Sequence, residues 1–289
     1  MSISTRSTRH LSVGLVPLAW VAAAVASVGL LLASSASANP RALPFSYPYQ
    51  TLPAEKFEVE QYVDMTPVRV SREAPDGTQE GVYGMRAVLQ TELEFGLTDR
   101  LEFGWYFVFR QGASAATPFM RFQGVKQRLR LRLSEEGVWP VNVGLYLELA
   151  EFHNEFEVEE KLLLSRRFGP LNAIVNLWIE QEYYFQTRES KFIYNPTAGL
   201  TYELSPRVTV GAEYWVRGRF DGNDPTDQTG VNDVPTGARH YLGPTLLGQS
   251  GELWLSLGAY LRLDALGDSP VVADPFGRLW FRALIGYGF

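Results

Sequence analysis

The stretch Leu279-Trp280-Phe281-Arg282-Ala283-Leu284-Ile285-Gly286-Tyr287-Gly288-Phe289 alternates strictly in side-chain character. Successive side chains of a β-strand point to opposite faces. Leu279, Phe281, Ala283, Ile285, Tyr287 and Phe289 therefore make one unbroken apolar face, while Trp280, Arg282, Leu284, Gly286 and Gly288 make the other. The sequence stops on the last aromatic of the apolar face.

Working back from this strand, the same period of two recurs. Met85 to Leu97 alternates against Arg86, Gln90, Glu92 and Glu94. Leu101, Phe103, Trp105, Phe107 and Phe109 alternate with Glu102, Tyr106 and Arg110. Val141 to Leu149 and Leu253 to Leu263 repeat the pattern. Period-two alternation over such runs reads as strand. Twelve strands are expected, near 55–68, 82–97, 100–110, 119–134, 140–151, 154–168, 171–186, 190–204, 207–220, 237–248, 252–264 and 277–289. Pro244 interrupts the tenth. Glu160 falls among the apolar positions of the sixth, which suggests a bulge or a slipped register.

A final amphipathic strand ending in Phe289 resembles the closing strand of bacterial outer-membrane β-barrels. The resemblance implies an all-β, transmembrane, antiparallel up-and-down barrel of about twelve strands over residues 55–289. It implies contact with the bilayer and lipopolysaccharide, and reading of the C-terminal strand by the barrel assembly machinery. It points to the broad class of small outer-membrane pores and transport-associated barrels and carries over no substrate. Connection lengths agree: tight turns after strands two, four, six, eight and ten, and mostly longer loops on the other side. A secreted β-sandwich also alternates, but strands of this length and so charged a second face suit a barrel with a wet interior.

The N-terminal end is consistent. Arg6 and Arg9 precede an uncharged apolar run, Leu11 to Ala33, followed by Ala36-Ser37-Ala38. This reads as a signal peptide over 1–38, with the mature chain beginning at Asn39. An uncleaved anchor is the alternative, since the run is about as long as a spanning helix. Residues 39–54 form a Pro-rich lead carrying Phe45, Tyr47 and Tyr49, either a periplasmic tail or a partial plug.

The chain carries 26 basic against 32 acidic residues, and removing the leader takes two arginines away. That argues against nucleic acid, which needs a basic footprint. With no cysteine, disulfides and thiolate-held metals are excluded. No cofactor is implied. Asp221 to Thr236 is rich in Asp and Asn but matches no calcium loop. An enzyme is not expected: the mature chain has only His153 and His240, both near the rim and neither in a recognisable triad, and no Gly-x-Ser-x-Gly. A rim-site enzyme acting on lipid or lipopolysaccharide is the third reading.

The candidate pore lining comes from the inward face. Lys126, Arg128, Arg130 and Arg132 share one face of strand four. Each basic residue would cost about 2–4 kcal/mol against lipid at the midplane, so they point inward. Glu92, Glu94, Glu148, Glu182 and Arg217 join them, giving a basic stripe opposite acidic walls. The expected function is a narrow pore for passive movement of small solutes. The alternative is a non-conducting barrel whose lumen is packed by these charges and by Tyr106, Tyr146, Trp178, Trp215, Trp254 and Trp280.

Overall fold

The computed structural model describes residues 38–113, 119–220, 237–268, 272, 274 and 276–289. Among them the chain forms thirteen strands: β1 (Phe57–Glu73), β2 (Gln79–Thr98), β3 (Leu101–Gln111), β4 (Arg121–Arg132), β5 (Asn142–Phe152), β6 (Glu155–Phe168), β7 (Leu171–Tyr184), β8 (Glu189–Tyr194), β9 (Thr197–Ser205), β10 (Val208–Arg219), β11 (Arg239–Ser250), β12 (Leu253–Arg262) and β13 (Leu279–Gly288). β8 and β9 are two halves of one stave, broken at Asn195-Pro196, and both pair with β7 on one side and β10 on the other. Proline has no N–H to give to the ladder. The barrel therefore has twelve staves, each antiparallel to its neighbours.

β13 pairs with β1 from Glu58↔Gly288 to Asp64↔Arg282 and beyond, which closes the sheet. The Phe289 N–H donates to the Phe57 carbonyl (2.7 Å), so the last residue is part of the seam. Closure leaves no unpaired sheet edge in the hydrocarbon, the condition a membrane sets for β-structure. Pairing with the bilayer follows from the outer face: Leu129, Leu131, Leu145, Leu147, Leu177, Leu255 and Leu257 are exposed on it. Phe95, Phe168, Tyr183, Phe185, Tyr202 and Phe220 are exposed near strand ends, where interfacial girdles belong. At the seam the Phe57 ring packs at a tilt against Phe95 (4.8 Å) and Phe289 (5.4 Å). Tight turns at residues 99–100, 169–170, 206–207 and 251–252 share one end with the C-terminus, which is the periplasmic end by the usual asymmetry of such barrels.

The observed elements differ from the expected ones in four places. β1 and β2 run on to Glu73 and Gln79, making a hairpin that stands beyond the neighbouring strands. Glu160 causes no bulge: it pairs in register with Leu147 and Ile179 and is exposed on the outer face. β11 runs through Pro244, and only its pairing with β12 is interrupted, between Leu242 and Thr245. The eighth strand is split as above. The expected leader (1–38, apart from Ala38) and the Asp221 to Thr236 loop lie outside the described residues.

Residues 38–54 run inside the barrel. The segment enters at the tight-turn end, where Ala38 lies near Gly288 and its N–H donates to Glu252 (3.0 Å). It rises to mid-height at Phe45, Ser46 and Tyr47, then descends to Pro53 against Gly96. A Cβ at Gly96 would fall 1.8 Å from the Pro53 carbonyl oxygen, so only glycine lets the lead pass this close to β2. Glu55, in the left-handed region at φ 65°, then turns the chain into β1.

Candidate functional site: the lumen and its lead segment

Alternation puts every second residue of each stave inside, and the register decides which charges meet. β3 and β4 pair Glu102 with Arg130 and Gly104 with Arg128. The missing side chain at Gly104 leaves space for the Arg128 guanidinium to cross β3 and reach β2. A Cβ there would lie 2.6 Å from both Arg128 Nε and Glu92 Oε1. Arg128 donates through Nε to Glu92 (2.8 Å), through Nη1 to Glu102 (2.6 Å) and through Nη2 to Glu94. Arg130 donates to both oxygens of Glu102 (2.6 and 2.8 Å). Both arginines are only 1% exposed. A buried guanidinium persists only when carboxylates surround it like this.

The lead is bound to this wall and its neighbours by specific polar contacts. Leu52 N–H donates to Glu102 (2.6 Å). Arg41 donates to the Tyr62 hydroxyl and lies 3.6 Å from Glu60, with its guanidinium 3.9 Å from the Tyr47 ring centroid. At the apex, the N–H of Ser46 (2.7 Å), its hydroxyl (2.7 Å) and the N–H of Phe45 (3.1 Å) all donate to Glu213, as does the Tyr260 hydroxyl. Glu213 is wholly buried and forms no ion pair among the described residues, so the lead supplies most of what solvates it. Tyr47 is held through both backbone groups by Asn176 (2.6 and 3.0 Å). Phe45 stacks on Trp215 (4.5 Å), and Tyr47 packs at a tilt against Tyr146 (4.8 Å).

Above the apex the lumen opens. A cavity of about 190 Å³ is lined by Lys126, Glu148, Glu157, Glu182, Arg217 and Arg282 over a floor that includes Phe45 and Tyr47. Charges here are paired but wetter. Lys126 donates to Glu148 (2.8 Å) and Arg217 spans Glu180 (3.0 Å) and Glu182 (2.5 Å), with Lys126 and Arg217 each about one-sixth exposed. Arg282 holds Asp64 (2.7 Å) and packs over the Phe45 ring.

The candidate residues therefore separate into two groups. Lys126, Glu148, Glu182 and Arg217 line the cavity. Arg128, Arg130, Glu92 and Glu94 are packed beneath it, and Arg132 sits at the tight-turn end with Glu135 (2.9 Å). The expectation of a basic stripe facing acidic walls across a bore needs correction on geometry. Glu92 and Glu94 are two staves from Arg128 and touch it, and Glu182 belongs to Arg217 instead. Sequence reasoning missed Arg41, Glu102, Asn176 and Glu213 as anchors of the lead. A signal was present for Glu102, whose strand places it opposite Arg130. None was present for Asn176 or Glu213, whose partners are 129 and 167 residues away in the chain.

At the outer rim the His240 Nδ1 lies 2.6 Å from the Tyr214 hydroxyl, and the His240 backbone N–H donates to Asp264 (2.8 Å).

No protein-family model matches the sequence, and no curated protein matches it. Among solved structures, the chain is similar to an outer membrane channel from Pseudomonas putida F1, at 11% identity and a TM-score of 0.55, over 83% of this chain and 98% of that one. The NanC porin aligns over 81% of this chain and 98% of its own at 10% identity, with a TM-score of 0.49. The fold is that of outer-membrane channel barrels.

Proposed function

We propose that this protein is a narrow outer-membrane channel for passive movement of small solutes, occupied in the described state by its own lead. The observation that carries this is the cavity above Phe45 and Tyr47. It is lined with paired charges of which Lys126 and Arg217 are partly exposed, while residues 38–54 occupy the barrel below it, held by hydrogen bonds, the Arg41–Glu60 ion pair and ring contacts. Such contacts can exchange for water when the segment moves, whereas the staves cannot move without breaking the sheet. Lys126, Glu148, Glu182 and Arg217 would then set ion preference in the upper lumen. Arg128, Arg130, Glu92 and Glu94 would become lining once the lead shifts. The fold of the Pseudomonas putida channel supports this reading, as does the polarity of the whole inner face. Assembly through the barrel machinery, with the strand ending at Phe289 as the element read, belongs to the same proposal. So does the reading that the protein is not an enzyme.

The test is conductance of the mature chain in a planar lipid bilayer under a salt gradient. Discrete current steps are expected, with a reversal potential that moves when Lys126→Gln or Arg217→Gln is introduced. A silent bilayer from protein shown to be folded by a heat-modifiable gel shift would reject the channel. It would favour the second reading, a non-conducting barrel, which the packing of the lead on the Arg128 cluster independently supports.

A further inference from the structure

We infer that Glu58 is the receptor for this chain's own mature α-ammonium group, so that removal of the leader creates the charge that fastens the lead inside the barrel. The Asn39 nitrogen donates to Glu58 Oε2 at 2.8 Å, and the Trp254 indole N–H donates to Oε1 of the same carboxylate. Glu58 is wholly buried. Asn39 is further fixed by its side-chain amide, which donates to the Gln50 carbonyl (3.3 Å).

Asn39 is also the residue after Ala36-Ser37-Ala38, the pattern at which a leader peptidase is expected to cut. Hydrolysis adds water across the Ala38–Asn39 amide. Ala38 leaves with a carboxylate, and the nitrogen stays on Asn39 as an amine. An α-amine has an ordinary pKa of about 8, so it takes a proton at neutral pH. The neutral amide donor at Glu58 thus becomes a charged one, and charge-assisted hydrogen bonds are roughly twice as strong.

The surrounding charges favour this. Oxygens of Glu58, Glu60 and Glu94 lie within 4.8 Å of one another. With Glu92 and Glu102 they make a buried group of carboxylates answered by Arg41, Arg128 and Arg130. Carboxyl groups outnumber guanidinium groups here, five to three, and a carboxylate buried without a cation is costly. An ammonium at Asn39 reduces the excess in the place where three carboxylates crowd together. Capture of an N-terminal amine by a prepared acceptor is a known recognition mode; here the ligand is the chain itself. The inference does not require the barrel to conduct.

The experiment uses protein expressed with its own leader and isolated from membranes. Its N-terminus is sequenced, and its folded form is treated with an acetylating succinimidyl ester at neutral pH. Acetylation of the N-terminal peptide is then compared with that in urea. The expected result is a start at Asn39 and acetylation slowed at least about tenfold by folding, since the amine must first open from its buried site. Glu58→Gln, checked for folding by gel shift, should lose that protection, while Glu252→Gln, whose carboxylate accepts from the Ala38 N–H rather than from Asn39, should keep it. A start at any other residue would overturn the inference. So would an amine in folded wild-type protein that reacts as fast as in urea, a measurement that stands even if Glu58→Gln does not fold. A folded Glu58→Gln protein as protected as wild type would also overturn it.

Discussion

The two halves of the lumen use the same residue types to different ends. Near the tight-turn end, Arg128 and Arg130 are 1% exposed and share Glu92, Glu94 and Glu102 in one dry network, with the lead packed on it. Near the loop end, Arg217 and Lys126 make comparable ion pairs beside a cavity and keep contact with solvent. Glutamate and arginine are present in both, so composition does not separate them. What separates them is whether another segment excludes water. Where the lead does so, charge pairs become structural; where it stops, at Phe45 and Tyr47, they are available to a solute.

The largest effect should come from fixing the segment that makes the difference. Ser46 Oγ lies 2.7 Å from Thr197 Oγ1, and the native chain has no cysteine to interfere. In a Ser46→Cys/Thr197→Cys variant the pair is close enough for a disulfide. Oxidised protein should show no current steps in a planar bilayer, and reductant should restore them to the wild-type level. Equal currents in both states would mean the lead does not control the path, and the contrast between the halves would lose its functional meaning.

Next in size is the cost of removing one cation from each half. Arg128→Met leaves buried Glu92 without its cation and Glu94 and Glu102 with Arg130 alone, and loss of one member of a buried pair costs about 3–5 kcal/mol. Arg217→Met should cost clearly less, because solvent reaches that pair. Urea unfolding in detergent or lipid reads both values. Similar losses would show that the upper lumen is as dry as the lower one.

Glu213→Ala should loosen the lead without touching the Arg128 network. Each intramolecular hydrogen bond contributes about 0.5–1.5 kcal/mol net, and several are lost together. The expected outcome is cleavage of the lead by added protease at a rate the wild type does not show, with the barrel still resistant. Unchanged protection would assign the hold to Asn176 and Glu102 instead.

The smallest effect belongs outside the lumen. Glu160 faces lipid between Leu147 and Ile179. Acidic residues at the midplane cost less than the 2–4 kcal/mol of basic ones, so Glu160→Leu should stabilise the barrel by up to about 2 kcal/mol. Conductance and protease protection of the lead should not change. If either did, the outer wall would be coupled to the interior, and neither half could be treated alone.

Most of the barrel was legible from residue order. Leu253 to Leu263 and Leu279 to Phe289 alternate so regularly that side, length and register parity followed directly. The stave broken at Asn195-Pro196 was less legible, because its two halves alternate in phase and only the proline marks the gap. Glu160 misled for the opposite reason: a single carboxylate on a lipid face looks like a slipped register, and only pairing on both sides shows that the strand is regular.

The sequence by itself determined a closed, twelve-stave barrel with an apolar outside and a charged inside. Period-two alternation is a local property, and a membrane allows such strands only one solution, a sheet with no open edge. Only the tertiary structure decided where the charges pair and where the lead goes. Those choices join Ser46 to Glu213 and Tyr47 to Asn176, contacts set by the curvature and shear of the whole sheet. No short-range pattern in the chain encodes a meeting between residues so far apart along it.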